Sequence, residues 1–278
     1  MRRRTAGRRA APACLLGVLL LAACQAPPDL AARVPPFTRL PYAPFARADA
    51  VAIALREWRL WGAPVDDAPP DETAPPPAPE SKPERQAGLW QRVGEYWWIG
   101  QNPDQPEAAW TGKHDADGHV FPASQDEDFA WSAAFISYVM RIAGAGPHFP
   151  YAPAHATYID VARAVSLGTA AGGAQGWWVS AAAPDAVAPR PGDLICVGRH
   201  AAARLRFADL PVARFPAHCD IVVAAEPGQL TVIGGNVDDA VTEKHVPTTP
   251  DGRLAPPGGD PLDTRYPWMV VIQVAYQQ

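Results

Sequence analysis

The apolar positions of this chain fall into blocks of different period, and the blocks predict its elements. An apolar run from Leu15 to Ala23 follows an arginine-rich start and is too short to span a bilayer as a stable helix. Residues 24–45 are rich in proline and alanine without any period and read as an extended tether. Between Asp49 and Trp61, Val51, Leu55, Trp58 and Trp61 recur at helical spacing, which predicts an amphipathic helix within 46–62. Residues 63–85 return to proline among acidic and small residues, a linker or looped insertion that cannot form a core. The compact globular part is expected over 86–278.

Within that part, Leu89 to Ile99 predicts a second helix, dense in aromatics. Its tryptophans either stack on sugar rings or fill the core, and helical spacing favours the core. Asp126-Glu127-Asp128 puts acids where a helix dipole and its caps favour them, so a helix is expected from Phe129 to Ala143, stopped at Gly144. Ser132, Phe135, Ile136, Val139 and Ala143 share one face of it, which turns Ser132 inward at the first turn. Thereafter the pattern becomes that of short strands: Asp193–Val197 after a Pro-Gly turn, His218–Val223, Leu230–Ile233 after a second Pro-Gly turn, and Trp268–Val274. Helices followed by such strands predict an α+β fold with an antiparallel sheet.

Composition changes the picture at the amino terminus. Arg2, Arg3, Arg4, Arg8 and Arg9 form a positive leader with no acid, and the apolar run ends in Leu21-Ala22-Ala23-Cys24. That segment resembles a lipobox. The expectation is an exported precursor, cut before Cys24 (signal peptide 1–23) and held to a membrane by lipid on that cysteine. An ordinary signal peptide whose cleavage site adjoins a cysteine is the other reading. Gln25, rather than aspartate, implies release to the outer membrane, facing the periplasm. Without the leader, 19 basic residues face 29 acidic ones. Such an acidic body argues against nucleic-acid binding and against electrostatic adhesion to anionic lipid, which leaves the lipid on Cys24 as the membrane contact. Cys196 and Cys219, both in expected strands, either bridge or stay as two buried thiols.

Several residues can carry chemistry. A nucleophile at a helix amino terminus is surrounded by unpaired N–H groups that stabilise a developing oxyanion, a histidine within reach takes its proton, and a polar third group fixes the histidine tautomer. Ser132 opens a helix in Asp128-Phe129-Ala130-Trp131-Ser132-Ala133-Ala134-Phe135-Ile136, His218 heads the strand His218-Cys219-Asp220-Ile221-Val222, and Gly234-Gly235-Asn236 ends another. In order and context these segments resemble the papain-like cell-wall hydrolases of the NlpC and CHAP type, and most closely the bacterial domain-of-unknown-function 2272 family, over roughly residues 86–278. The resemblance implies a papain-like fold with Ser132 as nucleophile, His218 as base and Asn236 as third residue; Asp220, on the His218 face of the strand, competes for that last role. Each has a structural alternative: Ser132 an ordinary first-turn serine, His218 a core histidine, Asn236 a left-handed turn residue, and Asp193 a residue that ties down its turn.

One departure matters: those peptidases carry cysteine where this chain has Ser132. A thiol ionises near neutral pH, whereas a hydroxyl needs a general base in flight. The expectation is therefore divided between an envelope hydrolase acting on an amide or ester of peptidoglycan and a binding or scaffold lipoprotein on the same fold, with peptidoglycan or an envelope protein as partner. A serine esterase is a third reading, disfavoured because no Gly-x-Ser-x-Gly elbow surrounds Ser132. No cofactor is expected. A metal site joining His155, His218 and Asp220 lacks a spacing motif, and His114-Asp115-Ala116-Asp117-Gly118 lacks the remaining ligands of a calcium loop and reads as a polar turn.

Overall fold

The computed structural model describes residues 43–68, 78–100, 111–115 and 117–277. The leader, Cys24, most of the tether, part of the proline-rich segment and Ala116 lie outside the described residues.

Helix α1 (Arg47–Leu60) buries Ala50, Ala54 and Glu57. Its innermost stripe is thus rotated from Val51, Leu55 and Trp58, which are half-buried at its flank, although Trp61 is buried as expected. The reason is chemical. Arg92 and Tyr96 reach the Glu57 carboxylate at 2.6 and 2.7 Å, so a charge can sit where an apolar residue would be expected. Both partners come from or near helix α2 (Leu89–Gly100), which turns Val93, Tyr96 and Trp97 inward and leaves Trp98 72 % exposed. Gly100 ends α2 against helix α3 (Ser132–Ile142): a Cβ there would lie 2.5 Å from the carbonyl oxygen of Ala134. Helix α3 is buried along nearly its whole length, between the other helices and the sheet.

The acids at 126–128 do not begin α3. They lie in a 3-10 helix, Ala123–Phe129, and Trp131 precedes the first turn without a side-chain cap. Asp126 is drawn away by Arg85 and Lys82, at 2.5 and 2.8 Å, a stronger attraction than a helix dipole offers. A helix absent from the expectation, α4 (His155–Ser166), buries His155, Tyr158, Ile159 and Ala162 at i, i+3, i+4 and i+7.

Six strands follow: β1 (Val179–Ala182), β2 (Leu194–Gly198), β3 (Ala217–Glu226), β4 (Gln229–Val237), β5 (Ala240–Pro247) and β6 (Val270–Val274). They form one antiparallel sheet in the order β1-β6-β2-β3-β4-β5, so the fold is α+β. One face, with Cys196, Cys219, Ile221, Ile233 and Ile272, meets the helices. The other, with Ile195, Val197, Val222, Val232 and Val271, is covered by Leu254 and Trp268. Burial on both faces explains why β2 is apolar throughout instead of alternating. Cys196 and Cys219 sit directly opposite each other on β2 and β3 and are joined by a disulfide. Asp193 accepts the backbone N–H groups of Arg190 and Val274, which ties the Pro-Gly turn to the last strand.

Candidate active site

Ser132 begins α3 and His155 begins α4, and both helices abut the sheet so that their first residues meet. His155 Nε2 lies 2.7 Å from Ser132 Oγ. The other ring nitrogen of His155, Nδ1, is hydrogen-bonded to the Tyr158 hydroxyl one turn further along α4. Ser132, His155 and Tyr158 are all buried. The imidazole engaging Ser132 is therefore that of His155, where the order of motifs pointed to His218.

His218 is adjacent. Its ring stands edge-on to that of His155, with centroids 5.4 Å apart. His218 Nε2 lies 2.7 Å from Asp220 Oδ1, two residues along β3 on the same face, while its Nδ1 is buried and has no hydrogen-bond partner among the described residues. A carboxylate can only accept, so the proton of neutral His218 resides on Nε2 and the lone pair on Nδ1. On the far side of the carboxylate, Lys244 Nζ lies 2.7 Å from Asp220 Oδ2. Lys244 comes from β5, is fully buried, and also faces the ring of Tyr266 at 4.5 Å.

The space for this comes from β4, which runs between β3 and β5. A Cβ on Gly234 would lie 2.0 Å from Asp220 Oδ1 and 2.9 Å from His218 Nε2. A Cβ on Gly235, on the opposite face, would lie 2.5 Å from Phe135 Cβ and 2.9 Å from Trp131. Each glycine thus admits one half of the site, the charged chain on one side and the helix carrying Ser132 on the other. Asn236 has φ of 54° beside the β4 bulge and is half-buried; Asp220, not Asn236, holds the His218 ring.

Burial, reinforced by the charges of His218 and Arg199, holds His155 well below its ordinary 6.5. Burial lowers His218 to about 4, with Arg199 and Lys244 adding to it and Asp220 opposing. Burial alone would raise Asp220, but the charges of Lys244 and then His218 outweigh it and hold the carboxyl well below its usual range. At neutral pH the site therefore contains two neutral imidazoles and one charged pair. Such a set can take a proton from a hydroxyl and stabilise the resulting imidazolium against Asp220.

Ser132 is also fixed from behind. The Trp131 indole donates to Glu84 Oε2 at 2.6 Å and stacks on Trp61 at 5.2 Å. Glu84 is buried and raised to about 7, first by desolvation, with the Trp131 bond opposing and the charges of Asp239 and Asp126 adding to it.

A bacterial family model, described as an uncharacterized protein conserved in bacteria (DUF2272), matches residues 84–274. The chain belongs to the DUF2272 family. No curated protein and no solved structure matches it. The match spans Glu84, Ser132, His155, His218, Asp220 and Lys244, so the whole polar cluster lies inside the DUF2272 region, whereas α1 precedes it.

Among the described residues, the donor atoms that converge closely enough for a cation are those of Asp115, Asp117 and His119, away from this cluster. Asp115 Oδ1 already accepts the backbone N–H groups of Asp117 and His119, the geometry of a polar turn. A cavity of about 410 Å³ is lined by Pro184, Arg206, Phe207, Gly258 and Trp268 among others, and includes none of the residues of the histidine cluster. Sequence reasoning had singled out Ser132, His218 and Asp220. It missed Tyr158 and Lys244 and weighed His155 only as a metal ligand; the i, i+3 pairing of His155 with Tyr158 on one helical face was the available signal.

Proposed function

We propose that this DUF2272 chain is an envelope hydrolase that cleaves an amide or ester of the cell wall by acyl transfer, a relative of the papain-like NlpC and CHAP peptidases with serine in place of cysteine. The observation that carries the reading is His218: Asp220 accepts from Nε2, and Nδ1 is left with a lone pair and no partner among the described residues, in a ring that stands against that of His155, the partner of Ser132. The reaction requires the Ser132 side chain to turn its O–H from His155 towards His218 Nδ1, the ring nitrogen without a partner among the described residues. The proton moves to the ring as Oγ attacks the carbonyl carbon, and Asp220 stabilises the imidazolium. The oxyanion forms at the free N–H groups of the first turn of α3. Collapse transfers the proton from His218 to the leaving amine or alcohol, and water, deprotonated by the same ring, releases the acyl group from Ser132. Lipid on Cys24 would hold the domain at a membrane, and Gln25 would send it to the outer one, within reach of peptidoglycan.

A second reading, a binding or scaffold lipoprotein on the same fold, draws on the burial of the site: Ser132 is 8 % exposed and its hydroxyl is already engaged by His155. The two separate experimentally. The chain from residue 24, carrying Cys24→Ser, is incubated with purified peptidoglycan and with a fluorophosphonate probe, beside the same chain with Ser132→Ala. Product release or labelling that requires Ser132 supports the hydrolase, whereas tight retention on the wall with neither supports the binder. Anchoring is tested by fractionation, since Cys24→Ser should move the protein out of the membrane pellet.

A further inference from the structure

Two histidines surround Ser132, and the hydrogen-bond chain can run in either direction. Tyr158 decides between them. Its hydroxyl is fully buried, and among the described residues its hydrogen-bond partner is His155 Nδ1. A buried hydroxyl carries one proton to donate and needs an acceptor for it. If Tyr158 donates to Nδ1, the His155 proton sits on Nε2 and is donated to Ser132 Oγ, which frees the Ser132 proton for another acceptor. His218 Nδ1, buried and unpartnered, is an acceptor one ring away. If the chain ran the other way, with Ser132 donating to His155, the Tyr158 proton and the His218 lone pair would both be unmatched, at opposite ends of the cluster where they cannot satisfy each other. In the first direction the groups left over are the Ser132 proton and the His218 Nδ1 lone pair, which flank the same His155 ring, so a turn of the Ser132 side chain can pair them. Only this direction allows every group a partner.

We infer that Tyr158 and His155 form a donor arm: Tyr158 donates to His155, His155 donates to Ser132 Oγ, and the Ser132 proton is thereby directed to His218. This deepens the hydrolase reading and rests on it. It assigns the base to His218 and leaves to His155 the task of holding Oγ, with Tyr158 as a positioning residue that sets the His155 tautomer. The burial that keeps both rings neutral is a condition for it. The arm also gives His155 an N–H directed at the reacting oxygen, so the serine lone pairs are oriented before substrate arrives.

The test is nitrogen NMR on the histidine-labelled chain from residue 24 with Cys24→Ser, at pH 7. The expected spectrum assigns the Nε2–H tautomer to both His155 and His218. An Nδ1–H tautomer at His155 overturns the inference, whether or not the protein proves to be an enzyme. The variant Tyr158→Phe keeps the ring and removes the donor: His155 should lose its single tautomer, and Ser132-dependent fluorophosphonate labelling should slow at least tenfold while the fold is retained. A Tyr158→Phe protein with the wild-type His155 tautomer also overturns it. Absence of labelling in wild type, with both tautomers as stated, refutes the hydrolase and leaves the donor arm standing.

Discussion

Glu84→Gln removes the charge from a carboxyl that the fold keeps 4 % exposed against the indole of Trp131. In the fold Glu84 titrates at about 7 against an ordinary 4.5. The folded state therefore binds the proton more tightly than the unfolded one, so the stability it contributes is complete below pH 4.5 and lost as pH rises through 7. At 1.36 kcal/mol per unit, the loss is about 3 kcal/mol by pH 8. Glutamine has the same shape, still accepts from Trp131, and has no proton to lose. The variant should match wild type near pH 5 and exceed it at pH 8 by about 2–3 kcal/mol, the neutral amide being a somewhat weaker acceptor. In a domain of this size that is a rise in Tm on the order of 5–10 °C. The assay is urea denaturation of both proteins at pH 5 and pH 8, followed by tryptophan fluorescence. Equal stability differences at the two pH values would refute the reasoning, since they would mean that Lys82 already neutralises an ionised Glu84.

Lys244→Met leaves the buried Asp220 without its cation, held only by His218, and should cost about 3–5 kcal/mol in denaturant unfolding; adding Asp220→Asn should recover a large part of it. Gly234→Ala places a methyl group 2.0 Å from Asp220 Oδ1 and should destabilise by about 1–3 kcal/mol while abolishing the His218 Nε2–H signal in the NMR spectrum. His218, lowered to about 4 from 6.5, contributes stability that is complete above pH 6.5 and lost as pH falls to 4, about 3 kcal/mol in all. On the Glu84→Gln background, which removes the opposite slope, His218→Gln should lessen the fall of unfolding free energy across that window and leave the part that His155, lowered in the same direction, contributes.

The fold was legible where apolar residues alone set the pattern. Strands β2, β3, β4 and β6 and helices α2 and α3 are anticipated to within a few residues, because their buried positions are mostly apolar; α1 is anticipated in extent although its innermost residues are Ala50, Ala54 and Glu57. Strand β5 escaped because Glu243-Lys244-His245 reads as a solvated run, and nothing in a single sequence says that Lys244 is fully buried against Asp220. Helix α4 escaped because its inward set includes a histidine and alanines that carry little apolar signal. The candidate site shows the same division. Ser132 and His218 were visible as a helix start and a strand start, and Asp220 as their neighbour in register. His155 was not visible as the partner of Ser132, since that contact depends on the beginning of an unrecognised helix. The acids at 126–128 show the converse: a local rule for helix starts was satisfied on paper and overridden by two distant cations.

Near the two ends of the described residues, Phe45 and Gln277 exchange hydrogen bonds, backbone N–H to side-chain carbonyl and backbone N–H to backbone carbonyl, each at 2.9 Å. If residue 24 is the point of suspension, this junction determines how load enters the domain. A pull through the segment before Phe45 is shared at once between α1 and the chain just after β6, two parts held side by side, and neither peels away as a free end. A domain so suspended would hang like a closed loop from its clasp, and a grip on a membrane would not come at the expense of its core.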